Sequence, residues 1–218
     1  MNIADALQTP GEHALMLEGL VGPLEAKLLV PPDARADSVA FLGHPHSLQG
    51  GTMQNKVVTT MAKMFAELHI PSLRFNFRGV GLSVGEYDAG IGESEDMIAQ
   101  VKAWPKMGPL QYFFAGFSFG SYVTYRTACA FARSRLITIA PSVEHYDYSQ
   151  PADLDFWLIV QGEADEIVPC ESVIAFANRV VPAIPVIRFP DTGHFFHGQL
   201  IPLKNQLLDF VRAQDPLL

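Results

Sequence analysis

Short unbroken apolar runs alternate along this chain with stretches in which apolar residues return at helical spacing. Residues 12–19 and 24–30 are two such runs joined at Gly22-Pro23, and they predict an antiparallel hairpin ended by Pro31-Pro32-Asp33. Residues 38–43 (Ser-Val-Ala-Phe-Leu-Gly) form a continuous run of the kind buried on both faces of a sheet. From Asn55 onward Val57, Val58, Met61, Met64, Phe65 and Leu68 fall on one helical face. A strand is expected over 71–77, followed by a Gly-rich loop over 78–85. Glu93, Glu95 and Asp96 then open a helix carrying Met97, Ile98, Val101 and Trp104, with its acids at the positive end of the dipole.

Pro109 precedes a strand that runs to Gly116, and the helix after Ser118 is expected to reach about Ala132. Further strands are predicted over 135–140, 156–162 and 184–189. Helices are predicted from Pro169 to about Val181 and over 202–212, the latter with Leu203, Leu207, Phe210 and Val211 inward. From Ser38 onward strand and helix alternate. The pattern therefore predicts an α/β protein: a mostly parallel, doubly wound sheet of about eight strands, preceded by the hairpin. No repeat or linker interrupts it, so residues 1–218 are expected to form one domain, with a functional site beyond the carboxyl ends of the strands.

Composition narrows the partners. A chain of 218 residues that is 49% hydrophobic and 17% charged has enough apolar surface for a full core. The net charge of −8, with no run of Lys or Arg, argues against nucleic acid and membrane surfaces as partners. No basic-then-apolar leader or spanning segment is visible, so a cytoplasmic location is expected. Cys129 and Cys170 lack metal-ligand spacing and are read as ordinary thiols.

The chemistry is carried by Phe113-Phe114-Ala115-Gly116-Phe117-Ser118-Phe119-Gly120-Ser121-Tyr122, an apolar strand running into Gly-x-Ser-x-Gly and then a helix. Gly116 and Gly120 permit a sharp turn that lifts the Ser118 hydroxyl above the sheet as a nucleophile. A serine needs a base and an acid, in the order Ser, Asp, His for such an elbow. Asp165, in the loop after residue 162, is the candidate acid, with Glu163 and Glu166 read as helix-leading charges. His194, in the loop after the last strand, is the candidate base, ahead of His197. An oxyanion needs two donors. One is the backbone N–H of Phe119, and the second is assigned to His46, with Ser47 and Leu48 as alternatives. Phe117, His44 and Phe195 flank these residues as candidate substrate contacts. His44-x-His46 lacks a nearby carboxylate for a metal site, and Arg78-Gly79-Val80-Gly81 lacks the rest of a phosphate loop, so neither metal nor cofactor is expected.

With these residues in place the chain resembles the α/β-hydrolase superfamily over nearly its whole length. It is similar above all to small bacterial serine hydrolases lacking a lid, and more distantly to dienelactone hydrolases, whose nucleophile is a cysteine. The matching segments are Gly-His-Pro-His-Ser-Leu-Gln-Gly-Gly-Thr-Met-Gln-Asn-Lys-Val-Val, Arg-Phe-Asn-Phe-Arg-Gly-Val-Gly, Gly-Phe-Ser-Phe-Gly and Gly-His-Phe-Phe-His-Gly. Only 141–155 separates two strands where larger relatives insert a cap, so no cap domain is expected, although 142–148 can overhang the site. The resemblance implies cleavage of carboxylic esters or similarly activated acyl groups on a small-molecule substrate. A thioesterase or small-peptide hydrolase would use the same residues, and a non-catalytic binding protein could share the scaffold.

Overall fold

The computed structural model describes residues 1–105, 110–150 and 152–214. Pro109 lies outside the described residues. One helical turn, α1 (Ile3–Ala6), precedes the hairpin of β1 (Gly11–Glu18) and β2 (Pro23–Val30). There follow β3 (Ser38–Gly43), α2 (Lys56–Glu67), β4 (Ser72–Phe75), α3 (Ile91–Ala103), β5 (Gln111–Phe117) and α4 (Phe119–Ala128). The chain ends with β6 (Ser134–Ile139), β7 (Leu154–Gly162), α5 (Cys170–Arg179), β8 (Val186–Phe189) and α6 (Leu200–Gln214). The strands form one eight-stranded sheet in the order β1-β2-β4-β3-β5-β6-β7-β8. β1 and β2 run antiparallel, and β2 joins β4 antiparallel, whereas β4, β3, β5, β6, β7 and β8 are mutually parallel.

The continuous apolar runs are explained by burial on two sides. In β3, Ala40 and Leu42 face a core shared with α2 and α6, while Val39 and Phe41 face a second core with Met97 of α3 and Val123 of α4. In β7, Leu158 and Val160 join the first core, and Ile159 packs with Val173 of α5. The sheet is thus doubly wound, and its loops at the carboxyl edge are where functional side chains converge. Between β6 and β7 the described residues form no helix, so no lid covers that edge. Among the described residues no helix is long and apolar enough to cross a membrane.

Where boundaries differ from expectation, side chains account for it. The strand expected over 71–77 stops at Phe75. Beyond it the Asn76 amide reaches Glu25 (Nδ2–Oε2 2.7 Å), and the Phe77 N–H donates to Nε2 of His44 (2.9 Å). The helix expected to reach Ala132 stops at Ala128, because the Ser134 hydroxyl donates to the carbonyls of Ala128 and Phe131 and closes the turn into β6. α6 begins at Leu200, which places Pro202 in its first turn, where a missing N–H costs nothing.

The acids opening α3 do more than oppose a dipole. Glu93 is fully buried and accepts the N–H groups of Asp88 and Gly90 (both 2.9 Å). Asp96, also fully buried, accepts Arg78 Nε (2.8 Å) and the Leu20 N–H at the hairpin tip (3.0 Å). Burial opposes the Arg78 charge, yet Asp96 outweighs it and raises the guanidinium pKa. Replacing Asp96 by Ala leaves the buried guanidinium with the long 4.0 Å contact to exposed Asp88 in place of its 2.8 Å partner, and unfolding in urea is expected to show a loss of about 3 kcal/mol.

His44 is a second buried polar group. Its Nδ1 lies 2.7 Å from the Pro45 carbonyl and must carry the proton, since Nε2 accepts from Phe77. Burial pushes its pKa down to about 4 against the raising effect of the Pro45 carbonyl. The folded chain therefore binds this proton less well than the unfolded one. Stability should fall as pH drops from about 6.5 toward about 4. In His44→Gln that part of the slope should flatten, as read by urea unfolding across the same interval.

Candidate functional site

Ser118 sits between β5 and α4 with φ 54° and ψ −121°, a strained backbone for a residue with a side chain. What holds it there is contact between bare backbones. A Cβ on Gly116 would lie 2.1 Å from the Gly120 carbonyl oxygen, and one on Gly120 would lie 2.4 Å from the Gly43 backbone. The turn is tied to β6 as well: Ser118 N–H donates to the Ile139 carbonyl (2.8 Å), and the Ser121 hydroxyl bridges the carbonyls of Gly116 and Ile139 (2.9 and 3.1 Å). The Ser118 hydroxyl has no hydrogen-bonding partner among the described residues and borders a small open cleft of about 70 Å³. His194, His46, Ile167, Phe195 and Asn55 border the same cleft.

Asp165 and His194 are brought together by the loops after β7 and β8. Gly162 lets those loops touch, since a Cβ there would lie 2.2 Å from the Thr192 carbonyl oxygen, and the Ala164 N–H donates to that carbonyl (3.1 Å). His194 Nδ1 lies 2.8 Å from Asp165 Oδ2, with both side chains buried. Asp165 Oδ1 accepts the N–H groups of Ile167 (2.9 Å) and Val168 (2.7 Å). Burial works to raise the Asp165 pKa, but the bond from His194 and these backbone donors together hold it below the usual carboxylate range. An ionised Asp165 can only accept, so Nδ1 of His194 carries a proton toward it, which leaves Nε2 as the ring nitrogen not engaged by the carboxylate.

The oxyanion candidates have open donors. Among the described residues the N–H groups of Phe119 and His46 have no acceptor, nor does that of Ser47, whereas the Leu48 N–H is taken by His46 Nδ1 (3.3 Å). The His46 carbonyl accepts from both Gln49 and Gly51 (each 3.0 Å), which closes this loop, and the His46 ring lies 5.2 Å from that of Phe119. His197 points elsewhere in the loop: it is exposed and does not border the cleft.

Two expected substrate contacts are corrected. His44 has no exposed surface, and both its nitrogens are engaged within the protein, so it pins the loops after β3 and β4 together. Phe117 is also fully buried, and its ring lies 4.9 Å from that of His194. Phe195 is half-exposed and does border the cleft. Of 142–148, expected to overhang the site, Tyr146 packs on Phe119 and Tyr122 (5.6 and 4.5 Å) with its hydroxyl 3.3 Å from that of Tyr87, and none of these residues borders the cleft. Two contributors escaped the sequence reading. Glu166 accepts the His194 N–H (3.2 Å), and buried Gln161 donates to Asp165 Oδ2 (3.2 Å). Among the described residues no group of His, Cys, Asp and Glu is placed to hold a metal ion.

No family model matches the chain. An uncharacterized protein of Rickettsia prowazekii is 33% identical over 149 residues, spanning 65% of this chain and just under two thirds (63%) of that protein. Among solved structures, an α/β serine hydrolase without lid from Xanthomonas campestris is 40% identical with a TM-score of 0.86, covering 94% of this chain and 95% of that one. An α/β serine hydrolase homologue from Coxiella burnetii is 39% identical with a TM-score of 0.82, covering 90% of this chain and 96% of that one. Identity at this level over nearly the full length of both chains places this chain in the α/β-hydrolase superfamily, among its lid-less serine hydrolases.

Proposed function

We propose that this chain, acting as one catalytic domain, hydrolyses carboxylic esters of small molecules through Ser118, His194 and Asp165. The observation that carries the reading is the 2.8 Å contact between His194 Nδ1 and Asp165 Oδ2 in a loop pair bordering the same cleft as Ser118. With Nδ1 protonated, Nε2 takes the Ser118 proton as Oγ attacks the carbonyl carbon. The tetrahedral oxyanion is met by the N–H groups of Phe119 and His46. Its collapse expels the alcohol, which receives the proton from His194, and leaves an acyl-serine. Water then attacks that ester by the same route, releasing the acid and restoring Ser118. The hydroxyl's lack of a bond to His194 in the free enzyme fits a contact that tightens with substrate. No cofactor enters any step.

The charge on the loops at the carboxyl edge ranks ester above coenzyme A thioester. Glu86, Asp88, Glu144, Asp147, Glu166 and Asp191 are exposed on loops at the carboxyl edge of the sheet. Those loops carry the buried Arg78, and Lys56 and Arg188 stand exposed at the adjoining ends of α2 and β8, Arg188 paired with Glu163 (2.8 Å). The acids outnumber these cations, so a polyanionic leaving group is disfavoured there relative to a neutral alcohol. The cleft itself is small, with Phe195 and Ile167 as apolar walls, which suits a short acyl chain.

Ser118→Ala should abolish p-nitrophenyl acetate turnover and fluorophosphonate labelling while leaving the unfolding midpoint near that of the parent. Asp165→Asn should lower kcat by about 10⁴. Full activity in either variant removes that residue from the mechanism. In a direct comparison kcat/KM for the acetyl ester should exceed that for acetyl-coenzyme A, and added salt should narrow the gap by screening. A preference for the thioester at low ionic strength would overturn the ester assignment.

A further inference from the structure

Gln161 is the penultimate residue of β7, fully buried in a strand whose other inward positions are apolar. Its Nε2 lies 3.2 Å from Asp165 Oδ2, 3.2 Å from the Gly162 carbonyl and 3.0 Å from the Val168 carbonyl. All three neighbours are acceptors, so the NH₂ end of the amide must face them. The other end is unusual: Oε1 is buried and has no hydrogen-bond partner among the described residues. An apolar side chain would fill this strand position without orphaning an acceptor. The donor end is therefore what the position requires.

We propose that Gln161 is a positioning residue for the Asp165 carboxylate. This rests on the Ser118–His194–Asp165 reading given above. Oδ1 is held by two backbone donors, so the carboxylate can still turn about the axis through that oxygen. Oδ2, the oxygen that receives His194, is held from the protein side by Gln161. The side chain touches neither the cleft nor the reacting atoms, and its effect on the rate runs through the carboxylate. The competing view is that Gln161 only staples the loop after β7 to its strand through the Gly162 and Val168 carbonyls.

A double-mutant cycle on the full chain separates the two. Gln161→Met keeps the volume and removes the donor. It should lower kcat for p-nitrophenyl acetate about tenfold with KM little changed. The acid limb of kcat/KM should move to higher pH, because a carboxylate with one donor fewer favours the protonated imidazole. In the Asp165→Asn background the same substitution should have no further effect on kcat, since the group it acts through is gone. Gln161→Asn, which keeps an amide but withdraws it by one methylene, should behave alike and serves where the methionine variant does not fold. A fall in thermal midpoint with kcat and the acid limb unchanged, or an equal loss of kcat in both backgrounds, overturns the proposal. Failure of the underlying reading looks different: Asp165→Asn would then keep the parent rate, whatever Gln161 does.

Discussion

Three glycines from three separate elements meet without side chains between them, and the rest of the carboxyl edge depends on that meeting. Gly43 ends β3, Gly116 sits near the end of β5, and Gly120 lies in the first turn of α4. Because their backbones touch, α4 can start directly above the sheet, and the residue between β5 and α4 is forced into a left-handed conformation. The strain at Ser118 is of order 1–3 kcal/mol, and it is offset by bonds to β6 that begin from Ser118 N–H and Ser121 Oγ. The same crossing fixes where the loop after β3 departs, and with it the open N–H groups of His46 and Phe119. One steric contact thus sets Ser118 and the two open backbone donors beside it together.

Polar groups buried beneath the edge divide the remaining work. His44, held neutral, links the loops after β3 and β4, and Asp96 links the hairpin tip to Arg78 and α3. Asp165 collects four donors, from His194, Gln161, Ile167 and Val168. None of these groups is isolated, which is what a low-dielectric interior demands of a charge or a strong dipole. Their shared result is loops of fixed shape on an otherwise uncovered edge.

Much of this was legible beforehand, for identifiable reasons. The run 38–43 is apolar because both its faces are covered, so its limits could be read without error. Ser118, Asp165 and His194 stood out because each follows a strand, and a parallel sheet gathers such positions at one edge. Side chains that act across the fold were harder. Asn76 and Ser134 ended a strand and a helix early through bonds to partners that no periodicity reveals. His44 and Phe117 looked like contacts for a ligand because they neighbour the site in sequence, but both side chains are fully buried, His44 with both nitrogens engaged within the protein. Gln161 left one faint sign, a lone amide inside an apolar strand immediately before a glycine. Glu166 left none, because an acid ahead of a helix already has an ordinary explanation.

The exposed acids on the carboxyl-edge loops bear on the outgoing side of the proposed reaction as well. In the ester hydrolysis proposed above, the substrate would enter neutral and the acid product would leave as an anion past those carboxylates. Ejection of the spent acyl fragment would then be favoured over its lingering, and accumulated acid would compete poorly for re-entry. On a scaffold whose described residues form no lid between β6 and β7, surface charge would take over the task of emptying the cleft.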